Sequence, residues 1–348
     1  MIIVIGAGQA GLAAGRALRL AGLDVVLLEA HDRIGESWRR RWDSLRLFTP
    51  ARLSSLPGLP MPGGSRYPGK DEVAGYLEAY AARFDLPVRL GARVSELRPG
   101  PGGGFEAVTG DGVIAGDGVV VATGPFQEPR VPALELPPGV HALHSSAYRA
   151  PDRLPDGPVL VVGGGNSGVQ IAAELAATHP VTLAAGARQP VLPQRLGGLD
   201  VFTWLRALGV VRAPVTGRLG RLVRARDPLI GLGPRGLRRM GVRVVDRVVE
   251  GGVDGGVDGE GPLLRTASGL RLAPRSVIWA TGYRPGYGWL RVPGALAGGV
   301  PRHTGGISPV PGLTYVGLPF QRCRGSALLG WVGEDAALIA EAHAARRA

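Results

Sequence analysis

The first eleven residues, Met1-Ile2-Ile3-Val4-Ile5-Gly6-Ala7-Gly8-Gln9-Ala10-Gly11, decide the fold. The β-branched run predicts a buried strand, the three glycines spaced G-x-G-x-x-G predict a tight turn, and the apolar spacing that follows predicts a helix through about Leu20. A second strand, Asp24 to Glu29, comes next and ends in an acid. This order of strand, glycine turn, helix and strand is typical of a dinucleotide-binding unit in a parallel α/β sheet.

Each glycine of this turn is expected to have its own role. Gly6 permits the sharp change of direction, Gly8 lets the backbone approach a pyrophosphate, and Gly11 allows the helix to pack closely on the strand. The free amides at the start of the helix, together with its dipole, favour the negative charge of phosphates. Glu29 lies 18 residues beyond Gly11, close to the spacing expected of a carboxylate that binds a ribose hydroxyl.

The same order of elements occurs a second time. A strand at Val159 to Val162 leads into Gly163-Gly164-Gly165-Asn166-Ser167-Gly168, a helix that ends near Thr178, and a strand at Val181 to Ala184. This last strand is followed by Arg188 and not by an acid. Because an arginine accommodates a 2′-phosphate that an acid would repel, the second site is predicted to prefer NADPH to NADH. Arginine is common in this chain, so a merely solvated Arg188 is the alternative.

Two dinucleotide sites in one chain predict two redox cofactors. The first site, with its acid, suits a tightly held FAD, and the second suits an exchangeable NADPH, so that hydride passes from nicotinamide to flavin. The predicted fold class is α/β, with two dinucleotide-binding Rossmann-like domains. A helix from Asp71 to Phe84 and a helical tail from Ala327 to Arg347 are also expected, and the tail should dock on the first domain.

Composition excludes several other classes of protein. The 348 residues are enough for two domains, and a hydrophobic content of 45% argues against disorder despite 57 glycines and 30 prolines. Cys323 is the single cysteine, which excludes an internal disulfide and a two-cysteine redox centre. No run reaches the ~18 apolar residues of a membrane span and no leader is recognisable, so a cytoplasmic protein is expected.

The formal net charge is +12, and Lys70 is the single lysine. Arginine, glycine, alanine and proline share GC-rich codons, so genomic composition explains this balance without an anionic polymer as partner. The arginines are spread along the chain, and no basic stripe is interleaved with aromatic residues. Nucleic acid is therefore not expected as a partner, and the oligomeric state stays open.

Further motifs follow the two glycine turns: Gly35-Glu36-Ser37-Trp38 with Arg41-Trp42-Asp43-Ser44-Leu45-Arg46-Leu47, then Ala122-Thr123-Gly124, Ala280-Thr281-Gly282-Tyr283 and Gly312-Leu313-Thr314-Tyr315-Val316-Gly317-Leu318-Pro319. Together with the glycine turns, these motifs resemble those of the class B flavin-containing monooxygenases, close to the YUCCA-like group, over nearly the whole chain. A family pattern of Phe, Gly, His and a final aromatic residue is only partly present, at His144 to Tyr148.

The resemblance implies a nested layout. An FAD-binding domain is formed by residues 1–145 and 283–348, and an NADPH-binding domain, residues 146–282, is inserted in it. Trp38 to Leu47 is implied to lie against the flavin, although core packing is the alternative for Trp38 and Trp42. The start of the final helix, near Leu328 and Leu329, is implied to point its amides at the flavin. The residues expected to contact the cofactors are Gly6, Gly8, Gln9, Ala10, Gly11, Glu29, Trp38, Arg41, Leu45, Val94, Thr123, Gly124, Gly163, Gly165, Asn166, Ser167, Gly168, Arg188, Thr281, Gly282, Leu328 and Leu329.

The resemblance also implies a reaction. NADPH reduces FAD, O2 forms a C4a-(hydro)peroxide on the reduced flavin, and one oxygen atom passes to a small nucleophilic substrate that contains nitrogen or sulfur. The cofactors carry most of this chemistry, so the protein supplies positioning and the exclusion of water. Arg41, Asn166 and Gln321 are the candidates for catalytic residues, and the dispersed histidines predict no metal site. A small-molecule substrate and O2 are the expected partners.

Three other functions stay open. A flavoprotein reductase would oxidise NADPH without inserting oxygen, although its disulfide-reducing form needs a Cys-x-x-Cys pair that this chain lacks. A Baeyer–Villiger enzyme would oxygenate a ketone. Tyr148 stands where such enzymes carry Trp, which favours oxygenation of a heteroatom. The basic charge would also suit a nucleic-acid-binding protein, whose affinity should fall steeply with salt.

Overall fold

The computed structural model describes residues 1–186, 189–252 and 263–347. The α-helices are α1 (Gln9–Leu20), α2 (Glu36–Arg39), α3 (Lys70–Arg83), α4 (Asn166–Leu175), α5 (Val201–Ala207), α6 (Arg218–Ala225), α7 (Pro234–Arg239) and α8 (Val332–Ala345), and short 3-10 helices are Ala51–Leu53, Pro151–Arg153, Val210–Arg212 and Arg324–Ala327. The strands are β1 (Ile2–Ile5), β2 (Val25–Leu28), β3 (Val88–Arg89), β4 (Glu96–Pro99), β5 (Phe105–Thr109), β6 (Gly112–Gly116), β7 (Gly118–Val121), β8 (Glu128–Pro129), β9 (His141–His144), β10 (Val159–Val162), β11 (Val181–Ala184), β12 (Val191–Leu192), β13 (Arg195–Leu196), β14 (Leu199–Asp200), β15 (Leu229–Ile230), β16 (Arg243–Val245), β17 (Val248–Gly252), β18 (Leu263–Thr266), β19 (Arg271–Leu272), β20 (Ser276–Trp279), β21 (Tyr283–Arg284), β22 (Leu296–Ala297), β23 (Val300–Pro301) and β24 (Leu313–Tyr315).

The first sheet is built around the opening strand of the chain. Its order is β3-β2-β1-β7-β24, and every pair in it is parallel. Ile2 lies opposite Val25 on one side and Gly118 on the other. The strands β1, β2 and β7 are buried along their whole length, which is why they consist of continuous apolar runs and not of alternating polar and apolar residues.

The second sheet repeats this arrangement with the second glycine turn. Its order is β16-β11-β10-β20-β9, again with every pair parallel. Val159 lies opposite Val181 and Ser276, just as Ile2 lies between its two neighbours in the first sheet. The predicted α/β fold with two Rossmann-like units is confirmed.

One edge strand of each sheet shows where the chain passes from one domain to the other. Strand β9, which precedes the second glycine turn, pairs with β20 in the second sheet, whereas β24 returns to pair with β7 in the first. The sequence-based division at residues 145 and 146 assigns β9 to the first domain, although its hydrogen bonds lie in the second sheet. We therefore propose that the inserted domain begins before His141.

Helices on one face of the first sheet form the main core. Helix α1 packs against α8 and α3, and its buried Leu12 and Leu18 meet Leu77, Val332 and Ile339 in one cluster. The predicted docking of the C-terminal tail is therefore confirmed. The antiparallel strands β4, β5 and β6 lie on the other face, where β5 alternates buried and half-buried residues as a meander does. Among the described residues, every helix is too short or too polar to cross a bilayer.

A buried histidine joins the last helix to the first sheet. His343 of α8 is 4% exposed, and its Nε2 lies 2.9 Å from the hydroxyl of Thr314, which in turn donates to the carbonyl of Val119. Burial lowers the pKa of His343 from its usual 6.5 to about 4, and the nearby charge of Arg346 adds to this shift. Folding therefore favours the neutral imidazole.

The stability of the protein should consequently fall in acid. A histidine whose folded pKa lies below its unfolded pKa contributes stability that is present above pH 6.5 and is lost as the pH falls towards 4. We expect the free energy of unfolding to lose up to about 3 kcal/mol from this group over that range, measured by urea unfolding at several pH values. His343→Gln should flatten this slope, whereas replacement of the exposed His141 by Gln should leave it unchanged. Equal slopes in wild type and His343→Gln would contradict the assignment.

Candidate functional site

The first glycine turn has the geometry that each of its glycines was predicted to provide. Gly6 has φ +100°, and a Cβ there would lie 2.8 Å from the carbonyl oxygen of Ala122. A Cβ at Gly11 would lie only 1.8 Å from the carbonyl oxygen of Gly6, so helix α1 touches the turn backbone directly. A Cβ at Gly8 would meet no other part of the protein within 4 Å. The turn is thus closed by protein at its first and last glycines and open at the middle one, as a pyrophosphate requires.

The second turn repeats these relations. Gly163 has φ +122°, with its Cβ position 2.2 Å from the carbonyl oxygen of Ala280, and Gly168 would place a Cβ 1.9 Å from the carbonyl oxygen of Gly163. Gly165 again faces open space. The backbone of both turns therefore fits a dinucleotide. Asn166 and Ser167 form the first turn of α4, where free amides face this space.

Glu29 lies directly after β2, beside the first turn. Its Oε2 accepts a hydrogen bond of 2.9 Å from the amide of Ala7, and its Oε1 accepts one of 3.1 Å from the amide of His31. The ring Nδ1 of His31 lies 2.7 Å from the same Oε1. These bonds hold the carboxylate at the predicted ribose position. The sequence reasoning missed His31, whose signal is its place two residues after the acid.

Three distant parts of the chain meet at Gln9. The indole Nε1 of Trp38 donates to Gln9 Oε1 over 3.1 Å, and Gln9 Nε2 donates to the carbonyl of Ala327 over 3.5 Å. The neighbouring Ala10 is buried against Gly317, where a Cβ would come within 2.6 Å of the alanine methyl group. The first glycine turn, Trp38 and the segment before helix α8 therefore form one wall of the site.

The segment from Trp38 to Leu47 divides between the two domains. Trp38 packs on the core of the first domain, but Trp42 is 4% exposed and lies in the core of the second with Tyr148 and Ile278. Leu45 packs against that second core as well. Trp42 thus packs in a core, which was the alternative to a position against the flavin. The sequence does not reveal this core, because its other residues belong to the inserted domain and lie more than a hundred residues away.

Arg41 lies where the two domains are joined. Its Nη1 donates to the phenol oxygen of Tyr283 over 2.8 Å, and its Cζ lies 5.1 Å from the ring centre of Phe126. His144 packs edge-on against Tyr283, with ring centres 5.0 Å apart, and its Nε2 lies 3.0 Å from the carbonyl oxygen of Gly282. Burial lowers the pKa of His144. These contacts place Arg41 between the two domains, and its catalytic role stays a prediction.

The other two catalytic candidates also use their side chains within the protein. Asn166 Oδ1 accepts a hydrogen bond of 3.2 Å from the amide of Ile230. Gln321 is 3% exposed, with its Oε1 accepting from the amide of Leu318 and its Nε2 donating to the carbonyl of Gly305, both over 3.3 Å. Both amide atoms of Gln321 thus bind backbone and hold its loop in place, and its contact with substrate stays a prediction.

The two Ala-Thr-Gly segments close the strands β7 and β20. Gln127 Nε2 donates to the hydroxyl of Thr123 over 2.9 Å and to the carbonyl of Gly124 over 3.0 Å. In the second copy the hydroxyl of Thr281 donates to the carbonyl of Arg130, and Gly282 accepts from the amide of the same arginine. Both glycines have positive φ, +70° and +80°, so they turn the chain out of each sheet towards the other domain.

A cavity of about 290 Å³ lies beside these connections. Gln127, Tyr283, Tyr287, His303 and Leu318 line it, together with several prolines. Burial lowers the pKa of His303, and the charge of Arg224 acts in the same direction. The cavity is therefore lined by aromatic and apolar groups with an imidazole that favours its neutral form.

Three of the remaining predicted contacts lie outside the turns. Helix α8 begins at Val332, so Leu328 and Leu329 precede it, contrary to the expected helix start. Leu328 packs beside Phe202, and Leu329 lies in the first core. Val94 packs on the opposite face of the first sheet. Arg188, the predicted 2′-phosphate ligand, lies outside the described residues.

Comparison with known proteins places this geometry among flavoproteins. The family model for pyridine nucleotide-disulphide oxidoreductases matches residues 3–190. The CzcO-like oxidoreductase of Geobacillus kaustophilus is 39% identical over 341 residues, covering 96% of this chain and 95% of that protein. The indole-3-pyruvate monooxygenase YUCCA1 of Oryza sativa subsp. japonica is 37% identical over 217 residues, covering 59% of this chain and 52% of that enzyme. A solved flavin-containing monooxygenase from Stenotrophomonas maltophilia has a TM-score of 0.81 at 29% identity, covering 100% of this chain and 98% of that one.

The open middle glycine and the closed last glycine of the first turn should respond differently to a methyl group. Gly8→Ala should keep its stability but weaken FAD binding about tenfold or more, because its Cβ enters only the space left for the pyrophosphate. Gly11→Ala should lose about 3 kcal/mol of unfolding free energy, since its Cβ would overlap the Gly6 carbonyl. Urea unfolding and titration of the apoprotein with FAD measure the two effects.

The matched control is Gly75→Ala in helix α3, where a Cβ again meets nothing within 4 Å. This variant should keep FAD affinity and gain slightly in stability, because alanine favours a helix. Normal FAD binding by Gly8→Ala, or stability in Gly11→Ala equal to that of Gly8→Ala, would refute the division of roles.

Proposed function

Because the chain belongs to the pyridine nucleotide-disulphide oxidoreductase family, we propose that it uses NADPH and FAD to transfer one oxygen atom from O2 to a nitrogen or sulfur atom of a small organic substrate. The observation that carries the proposal is the pair of dinucleotide turns, each open at its middle glycine, in two domains that Arg41 and Tyr283 hold together. Such an arrangement suits hydride transfer from one cofactor to the other.

Several predictions are confirmed at the level of the family. The resemblance to flavin-containing monooxygenases, the oxidoreductase class and the cofactors FAD and NADPH agree with the relatives and solved structures. The chain is thus an oxidoreductase of the flavin monooxygenase kind. The identity of the substrate and the steps of oxygen transfer are the proposal.

The single cysteine argues against the disulfide chemistry in the name of the family. Exchange with a disulfide substrate through a protein dithiol needs two cysteines, and this chain has only Cys323. That residue is buried, and its Sγ lies 3.8 Å from the hydroxyl of Ser326. It therefore packs in the turn before the last helix, and disulfide exchange through a pair of protein cysteines is excluded.

The residues of the chain have defined tasks in this reaction. The backbone at Gly8 and Gly165 would hold the two pyrophosphates, and Glu29 would bind the ribose of FAD. The bound cofactors would supply the redox chemistry, in which NADPH, a proton, O2 and substrate would give NADP⁺, water and oxygenated substrate. Arg41 and Tyr283 fix the relative position of the domains, on which the distance between the two cofactors depends.

The cavity beside the domain connections supports a small uncharged substrate. Its aromatic and apolar lining, with the neutral form of His303 favoured, suits a substrate whose reacting nitrogen or sulfur carries a lone pair. Tyr148, which favours heteroatom over ketone oxygenation by resemblance, lies elsewhere: it is 1% exposed and its phenol donates to Glu174 over 3.0 Å. Tyr148 therefore packs in the second core.

Isotopic labelling tests oxygen transfer. The FAD-loaded protein, NADPH and ¹⁸O2 should convert a sulfide or tertiary amine to an oxide that carries one ¹⁸O atom, detected by mass spectrometry. A cyclic ketone in a parallel reaction should give no lactone. NADPH oxidation with only hydrogen peroxide as product would favour the reductase, and labelled lactone would favour the Baeyer–Villiger reaction.

The preference for NADPH tests the second site separately. Arg188→Ala should raise the KM for NADPH about tenfold or more and change that for NADH little, because the guanidinium would contact only the 2′-phosphate. Arg153→Ala is the control, since this exposed arginine lies in a 3-10 helix before the second domain core. Equal changes for both cofactors in Arg188→Ala would show that this residue does not recognise the 2′-phosphate.

A further inference from the structure

Half of the net charge of the chain lies in one short segment, residues 195–226. This arginine-rich segment contains seven arginines and one acid, Asp200, which gives +6 of the total of +12. Asp200 is buried and Asp227, the next acid, binds Arg324 over 2.7 Å. All seven arginines are exposed, and one of them, Arg212, pairs with Glu334. The positive charge is therefore presented to solvent.

The same segment exposes large apolar side chains. Six leucine and tryptophan residues in it are exposed, and Leu208 is 70% exposed. The other exposed leucines of the described residues, Leu20, Leu90 and Leu338, lie far apart in the sequence. Single exposed leucines are ordinary, but a group of them beside arginines marks an interaction surface. The six are Leu196, Leu199, Trp204, Leu208, Leu219 and Leu222.

Helix α6 shows the arrangement most clearly. Gly220 is buried, and Val223 is half-buried on the same side. Leu219 and Leu222, three residues apart, lie on the outward side, with Arg218 on the same turn. Helix α5 and α6 both pack against the 3-10 helix Val210–Arg212, so their exposed residues belong to neighbouring elements. This is an amphipathic surface in which arginines flank leucines.

The segment is held firmly to the rest of the protein. Asp200 caps α5 by accepting from the amide of Phe202 over 2.8 Å, and it also accepts from the phenol of Tyr67 over 2.6 Å. Gln194 Nε2 donates to the carbonyl of Phe48, and the rings of Phe48 and Phe202 stack with centres 5.5 Å apart. The inner side of the segment is thus packed on the first domain, and its outer side is left to a partner.

We propose that the arginine-rich segment docks the protein on the surface of an anionic lipid bilayer. Leucine and tryptophan side chains would enter the boundary between headgroups and acyl chains, while the guanidinium groups bind lipid phosphates. A nucleic acid would match the charge, but it would leave the leucines in water. A bilayer matches both the charge and the apolar groups, and this inference does not depend on the reaction that the enzyme catalyses.

Vesicle sedimentation with the FAD-loaded protein tests the inference. The protein should bind vesicles made of a mixture of phosphatidylglycerol and phosphatidylcholine. Its binding to vesicles of pure phosphatidylcholine should be weaker by a factor of about ten or more. Arg218→Glu/Arg221→Glu should lower the partition into anionic vesicles at least about tenfold. Leu219→Asp/Leu222→Asp should lower it as well, and the residual binding should depend more steeply on salt because only the screened electrostatic part remains.

Matched variants elsewhere on the surface serve as controls. Arg153→Glu/Arg291→Glu changes the net charge by the same amount at exposed sites outside the segment, and Leu20→Asp changes the exposed leucine of α1. Both should bind anionic vesicles nearly as wild type does. Retained FAD absorbance shows that a variant is folded, and if the segment variants do not fold, the dependence of wild-type binding on lipid charge and salt decides.

Three results would overturn the inference. The first is equal binding of wild type to anionic and neutral vesicles, or none to either. The second is binding of a DNA duplex without binding of anionic vesicles, which would assign the charge to nucleic acid. The third is a dimer that dissociates in Leu219→Asp/Leu222→Asp while vesicle binding is absent, which would assign the surface to a second copy of the chain.

Discussion

The contact between Gly11 and the carbonyl oxygen of Gly6 is the constraint on which the site depends. A Cβ at Gly11 would lie 1.8 Å from that oxygen, so the helix can approach the turn only because no side chain is present. This approach aims the first amides of α1 at the space beside Gly8 and brings the turn within hydrogen-bonding distance of Glu29. The same relation between Gly168 and Gly163, at 1.9 Å, builds the second site. Two binding sites thus follow from one backbone contact used twice.

The distance between the two sites depends on a different kind of interaction. The chain passes between the domains twice, beside Gly124 and beside Gly282, and strands β8 and β21 pair where it does so. Arg41 reaches this junction from the first domain and binds Tyr283, while Trp42 next to it is buried in the core of the second. Adjacent residues therefore fasten one segment to both domains. A reaction that passes hydride between two bound cofactors needs such a connection, because its rate depends on their separation.

The elements that could be predicted from sequence are those whose partners lie nearby in the chain. The close packing of Gly11 on Gly6 lies within a few residues of the chain, so the spacing of the glycines is sufficient to predict it, whereas the contact of Gly6 with the distant Ala122 is visible only in the fold. The surroundings of Gln321 and Leu328 cannot be predicted in this way, because the carbonyl of Gly305 and the core that contains Phe202 come from segments that no spacing rule connects to them. The resemblance to a family implies that these residues lie near the cofactor. The structure shows in addition that the amide atoms of Gln321 bind backbone and that the side chain of Leu328 packs against a core.

The distribution of charge is a second feature that inspection of the sequence did not reveal. Along the sequence the arginines look evenly spread, and a GC-rich genome accounts for their number. A uniform bias would, however, raise the net charge in proportion to length, whereas residues 195–226 carry +6 and all the other residues together carry the remaining +6. The difference arises because the segment holds seven arginines, about twice the number that the average composition of the chain would place there, and only one acid, which is turned inward to cap α5. Codon usage sets the average number of arginines in the chain, but it does not concentrate arginines and exposed leucines in one segment, so this surface calls for a partner that binds both kinds of group.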